Sequence, residues 1–125
     1  MATILVVEDN AANMKLARVL LEKAGHAVLM AGDGETGVQL AREFVPDLIL
    51  MDVQMPGMDG LAATGILKDD PLTRSIPIIA LTAHAMKGDD EKILAAGCDD
   101  YLAKPFHYPS FLSAVARMLD RGKAP

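Results

Sequence analysis

Asp52 ends the apolar run Leu48-Ile49-Leu50-Met51 and is followed at once by the turn Val53-Gln54-Met55-Pro56-Gly57-Met58-Asp59-Gly60. Three other short apolar runs also lead into polar or ionisable residues. Ile4–Val7 leads into Glu8-Asp9-Asn10, Ile76–Leu81 into Thr82-Ala83, and Tyr101–Ala103 into Lys104-Pro105. Each exit alone has an ordinary structural reading: acids cap helices and turns, threonine ends strands, and lysine reaches into water. For Asp52 by itself the capping and chemical readings are evenly balanced. Jointly the structural reading weakens, because parallel strands would deliver all four exits to one crevice.

Carboxylates drawn within about 4–6 Å of one another repel by roughly a few kcal/mol per pair at an effective dielectric near 20, so such a cluster needs a cation or protons. Oxygen ligands alone suit a hard divalent ion, Mg²⁺ foremost and Mn²⁺ in its place. His26, His84 and His107 are spread apart and give no zinc-ligand spacing. Lys104 adds a second, fixed cation. A metal and a lysine facing one aspartate is an arrangement that offsets charge on a transferring phosphoryl group. In that reading Asp52 is the nucleophile of an aspartyl phosphate, and the Thr82 hydroxyl donates to a phosphoryl oxygen.

The elements that must position these residues follow from periodicity. Strand-like runs at Ile4–Val7, Ala27–Met30, Leu48–Met51, Ile76–Leu81 and Tyr101–Ala103 alternate with helical patterns, which predicts βα units feeding a mostly parallel sheet with right-handed crossovers. The first helix is expected over about 12–24, with Leu16, Ala17, Leu20, Leu21 and Ala24 at helical spacing and Gly25 as its stop. The second opens after Asp33, places Val38, Ala41 and Phe44 on one face, and closes at Pro46. The third, about 61–68, has Asp59 in N-cap reach and is expected to be the weakest, since Gly65 inside it costs about 1 kcal/mol against alanine. Asp89, Asp90 and Glu91 suit the start of a fourth helix ending at Gly97. A fifth is expected over about 109–120, burying Phe111, Leu112, Val115 and Leu119.

Length and composition bound the function. A chain of 125 residues fits one domain with a real core. No apolar run approaches the roughly 18 residues needed to span a bilayer, and Met1 passes straight into a strand pattern without a charged leader, so the expectation is a cytoplasmic protein that does not engage a membrane. The single cysteine, Cys98, is expected as a small core filler in a reducing compartment. A formal charge of −5, with no basic cluster and no tryptophan, argues against direct nucleic-acid binding.

Glu8-Asp9, Leu50-Met51-Asp52 with Met55-Pro56-Gly57-Met58-Asp59-Gly60, Thr82-Ala83 and Lys104-Pro105 together resemble the receiver domain of two-component response regulators, over nearly the whole chain. The stretches from Glu8 to Leu16 and from Thr82 to Asp89 look closest to single-domain regulators of the DivK type. The resemblance implies an α/β fold: a doubly wound five-stranded parallel sheet of order 2-1-3-4-5, flavodoxin-like or CheY-like, forming one receiver domain over residues 1–125 with no effector domain. It also implies that Asp52 accepts a phosphoryl group from a histidine kinase or a histidine phosphotransfer protein. Glu8, Asp9, Asp52 and the backbone carbonyl of Gln54 would hold Mg²⁺, with Glu8 acting through water. Lys104 would contact the phosphoryl oxygens, aimed by a cis peptide before Pro105, a geometry seen in only about 5–6% of X–Pro bonds.

Thr82 and Tyr101 would form the switch, and Gln54 and His84 would tune phosphoryl lifetime. Asn10, Ala12, Asn13, Leu16, Pro105 and Phe106 would meet partners, although Leu16 and Phe106 also read as core residues. A downstream protein target would complete the pathway, with the chain a monomer or weak dimer. The acidic pair is Glu-Asp rather than Asp-Asp, which moves the first carboxylate by one methylene. Three rival readings remain. A Mg²⁺-dependent phosphohydrolase of the haloacid-dehalogenase type wants a second acid where Gln54 stands. A flavodoxin-like cofactor binder wants a Ser/Thr/Gly-rich loop where Glu8-Asp9-Asn10 stands. The third is a receiver excised from a hybrid histidine kinase.

Overall fold

The alternation of apolar runs with helical repeats resolves into a three-layer α/β fold in a computed structural model, which describes residues 2–53, 58–82, 89–103 and 108–123. In chain order the elements are β1 (Thr3–Val7), α1 (Ala11–Lys23), β2 (Ala27–Ala31), α2 (Gly34–Phe44), β3 (Leu48–Asp52), α3 (Gly60–Asp69), β4 (Ile78–Thr82), α4 (Asp89–Ala95), β5 (Asp100–Ala103) and α5 (Tyr108–Lys123). The strands form one sheet of order β2-β1-β3-β4-β5, all pairs parallel. This is the expected doubly wound order.

All residues of β3 and β4 are buried, as continuous apolar strands covered on both faces must be. Alternate residues feed two separate cores. Ile4, Val6, Leu48, Leu50, Ile79 and Leu81 pack with Leu20 and Leu21 of α1 and Phe111, Val115 and Met118 of α5. Leu5, Val7, Ile49, Met51, Ile78 and Ala80 pack on the opposite face with Val38 and Ala41 of α2, Ala63 and Leu67 of α3 and Ile93 of α4. Cys98 belongs to this second core and is 5% exposed, as expected of a filler.

Two expectations need correction. Phe44 does not join Val38 and Ala41 on an inward face; it is 52% exposed. The buried face of α2 is Gly34, Gly37, Val38 and Ala41. Its small residues let the helix lie so close to β1 that a Cβ on Gly37 would stand 2.7 Å from Val7 Cγ2. Phe44 falls at the margin of that arc. The fourth strand begins at Ile78 rather than Ile76 because Pro77 has no N–H for the ladder; the Ile78 N–H is instead taken by Asp99 Oδ2 at 2.8 Å. Elsewhere the caps explain the boundaries. Asn10, Asp33 and Asp59 accept from the N–H of Asn13, Thr36 and Ala62 and start α1, α2 and α3. Those bonds from Thr36 hold the Asp33 carboxyl below its ordinary value.

Candidate functional site

Register brings the polar exits together. Val7 pairs with Ala31 on one side and Met51 on the other, so Glu8, just past β1, emerges beside Asp52, the last residue of β3. The Glu8 N–H donates to the Ala31 carbonyl and the Val53 N–H to the Leu81 carbonyl, each at 3.0 Å, which fixes the backbone on both sides of the cleft. Asp52 pairs in turn with Leu81, and Thr82 with Ala103. Thr82 therefore closes β4 one step beyond the level of Asp52.

Glu8, Asp9 and Asp52 each present a carboxylate oxygen, and the three oxygens lie within 4.8 Å of one another. Glu8 is 2% and Asp52 1% exposed, whereas Asp9 faces solvent. Two buried carboxylates beside a third are stable only with a compensating cation or protons. The donors are all oxygen, and one member opens to water, so the set fits a hard divalent ion that keeps part of its hydration. Thr82, 2% exposed, stands at the same sheet edge. Tyr101 is half-buried, pairs with Ala80, and packs against the core that also takes Val53, Met58 and Leu61.

Gly60, at the head of α3, lies directly against the end of β3. A Cβ on Gly60 would collide with the Asp52 carbonyl oxygen, and would stand 2.7 Å from the Asp52 carbonyl carbon and 2.8 Å from Val53 Cα. The Thr64 hydroxyl donates to the Gly60 carbonyl at 2.7 Å, and the Cys98 thiol to Thr64 Oγ1 at 3.7 Å. Burial pushes the Cys98 thiol above its ordinary value, with the Thr64 hydroxyl acting in the opposite direction. Neither the Gly60 contact nor that of Gly34 with Met58 is singled out by the motif reading. The available signal is a glycine at the first position of a helix, where almost any other residue extends a helix better.

The α1 cap Asn10 is exposed, as are Ala12 and Leu16 on the helix, and Asn13 is half-buried. Leu16, at 41% exposure, is not a core residue. Gln54, His84, Lys104, Pro105 and Phe106 lie outside the described residues, as does the expected cis peptide.

An acidic cleft at the carboxyl edge of a 2-1-3-4-5 parallel sheet defines a class. Residues 4–116 match the family model of the response regulator receiver domain, and the chain belongs to that family. Among its relatives, the polar-differentiation response regulator DivK of Brucella anthropi is 47% identical over 117 residues, covering 94% of this chain and 95% of DivK. DivK of Brucella ovis is equally similar over the same span. The receiver domain of the sensor histidine kinase PA1611 from Pseudomonas aeruginosa, solved with a magnesium ion coordinated in its active-site cleft, superposes with a TM-score of 0.89 at 39% identity, covering 95% of this chain and 98% of that one. The chemotaxis protein CheY4 of Vibrio cholerae superposes at 0.90 with 28% identity, over 94% and 98% of the two chains. The chain is therefore a response regulator receiver domain of two-component signalling, similar to DivK. Among the described residues no helix is long and apolar enough to cross a membrane.

Proposed function

We propose that Asp52 accepts a phosphoryl group from a histidine of a kinase or phosphotransfer protein, and that the modification changes which proteins the chain binds. The reading rests on one observation: three carboxylate oxygens within 4.8 Å at the end of β3, two of them on buried side chains. Glu8, Asp9 and Asp52 are the residues that would hold Mg²⁺, together with the Gln54 carbonyl. When bound, Mg²⁺ supplies the positive charge that offsets charge developing on the phosphoryl oxygens. A carboxylate oxygen of Asp52 attacks phosphorus; an O–P bond forms as the N–P bond to the donor imidazole breaks. Lys104 adds fixed charge, and Thr82 donates a hydrogen bond to a phosphoryl oxygen.

The output is a population shift. Phosphorylated Asp52 favours one arrangement of Thr82 and Tyr101 over another, and the bound partner reads the difference. The cap Asn10 with Ala12, Asn13 and Leu16 of α1, and Pro105 and Phe106, are the residues that would meet the donor. The chemistry is self-phosphorylation and its hydrolysis, without turnover of a separate substrate.

Incubation with acetyl phosphate and Mg²⁺, read by intact mass, tests this. The native chain is expected to gain one phosphoryl group, and the Asp52→Ala chain none. Equal labelling of both chains, or labelling that survives chelation of the metal, would overturn the assignment. Followed over time, the same measurement reads the lifetime that Gln54 and His84 are proposed to tune.

A further inference from the structure

The first turn of α2 contributes no side chain to the acidic cleft, yet it touches the turn that leaves it. Gly34 is buried at the head of α2, directly after the cap Asp33. A Cβ there would lie 2.6 Å from the Met58 carbonyl oxygen, 3.2 Å from Met58 Cγ and 3.3 Å from its Cβ. The nearest of these atoms is backbone, which cannot rotate away as a side-chain tip can. Two residues on, Gly60 is pressed against the Asp52 carbonyl with no room for a methyl group. The two close approaches act in series: α2 bears on Met58, and Gly60 bears on Asp52. Between them Asp59 caps α3 through the Ala62 N–H at 2.8 Å, so the segment also has little freedom to slide along the helix axis.

We propose that Gly34 is a positioning residue for Asp52, setting where Met58 and Gly60 lie against the end of β3 and with it the placement of the Asp52 carboxylate relative to Glu8 and Asp9. A methyl group at position 34 displaces the Met58 carbonyl, and the displacement passes through Gly60 to the end of β3. The inference rests on the reading of Asp52, Glu8 and Asp9 as a metal and phosphoryl site.

The test separates placement from folding. Gly65 lies inside α3 with no neighbouring atom within 4 Å of a Cβ built on it, so Gly65→Ala strengthens a helix without touching the cleft. The native chain, Gly65→Ala and the double variant Gly34→Ala/Gly65→Ala are compared by melting temperature, by Mg²⁺ titration calorimetry and by labelling with acetyl phosphate. Gly65→Ala is expected to bind Mg²⁺ as the native chain does. The double variant is expected to bind it about tenfold more weakly, with slower labelling, even where its melting temperature matches the native one. A double variant with native Mg²⁺ affinity and labelling rate overturns the role of Gly34.

If the double variant does not fold, the native chain's ¹⁵N spectrum decides. On Mg²⁺ addition the Gly34 amide is expected to shift together with those of Asp52 and Val53 while Gly65 stays still. A Gly34 amide that does not move overturns the inference. A native chain that neither binds Mg²⁺ nor accepts phosphate defeats the Asp52 reading itself. Native behaviour in all three chains defeats only the Gly34 claim.

Discussion

At the scale of single residues, burial decides chemistry. Asp52 and Cys98 are both nearly inaccessible, but for different reasons. Asp52 ends a strand at the carboxyl edge with two acids beside it, whereas Cys98 sits in the core under α3 with its thiol on Thr64. Burial pushes the pKa of the Cys98 thiol above its ordinary value, so at neutral pH the reactive thiolate is suppressed in the fold. Iodoacetamide is therefore expected to label Cys98 in the native chain only at the rate of local opening, and rapidly in denaturant. Fast labelling of the native chain, followed by mass, would contradict that placement. The cysteine was legible as filler because a single one has no internal disulfide partner and free cysteine behaves as a small hydrophobe. The acids at strand exits were legible too, because strand register follows from the apolar pattern. Gly34 was not, since a close approach of backbone to backbone leaves no trace in residue type beyond the glycine itself.

At the scale of elements, the one non-glycine residue with positive φ among the described residues stands where α2 ends. Val45 caps the helix in the left-handed region, at φ 44° and ψ 66°, where a β-branched residue is rarely found. Val45 is also 44% exposed, so it is not a fully buried core residue. Val45→Asn is expected to stabilise the chain by about 1 kcal/mol, measured by urea unfolding, because asparagine tolerates this conformation far better. A loss of stability would mean that Val45 makes packing contacts outweighing its backbone strain. Element types could be read from apolar period, and two helix starts from Asp33 and Asp59, because capping is local chemistry; the Asn10 cap of α1 emerges only in the fold. What could not be read was depth. The close seating of α2 through Gly34 and Gly37, which leaves Phe44 outside, depends on how tightly two surfaces approach. The late start of β4 follows from one missing N–H at Pro77.

At the scale of the whole molecule, the sheet carries a core on each side. Among the described residues Phe111 is the largest fully buried side chain, and it fills the side lined by α1 and α5. Phe111→Ala is expected to cost about 3–5 kcal/mol in chemical denaturation. It is also expected to leave the Mg²⁺ affinity of the folded fraction unchanged, because the residue faces away from the turn that carries Met58. A matching loss of metal affinity would show that the two cores are not independent.

Tyr101, Val53 and Met58 all press into the other compartment, between the sheet and α2, α3 and α4. The sheet is thus a partition as well as a platform. Any rearrangement at its carboxyl edge that moves those three side chains is met first by one chamber, while α1 and α5 behind the wall receive it through the strands on which they pack. A protein gripping α1 and one gripping the opposite helices would accordingly be sampling two different rooms of the same small building.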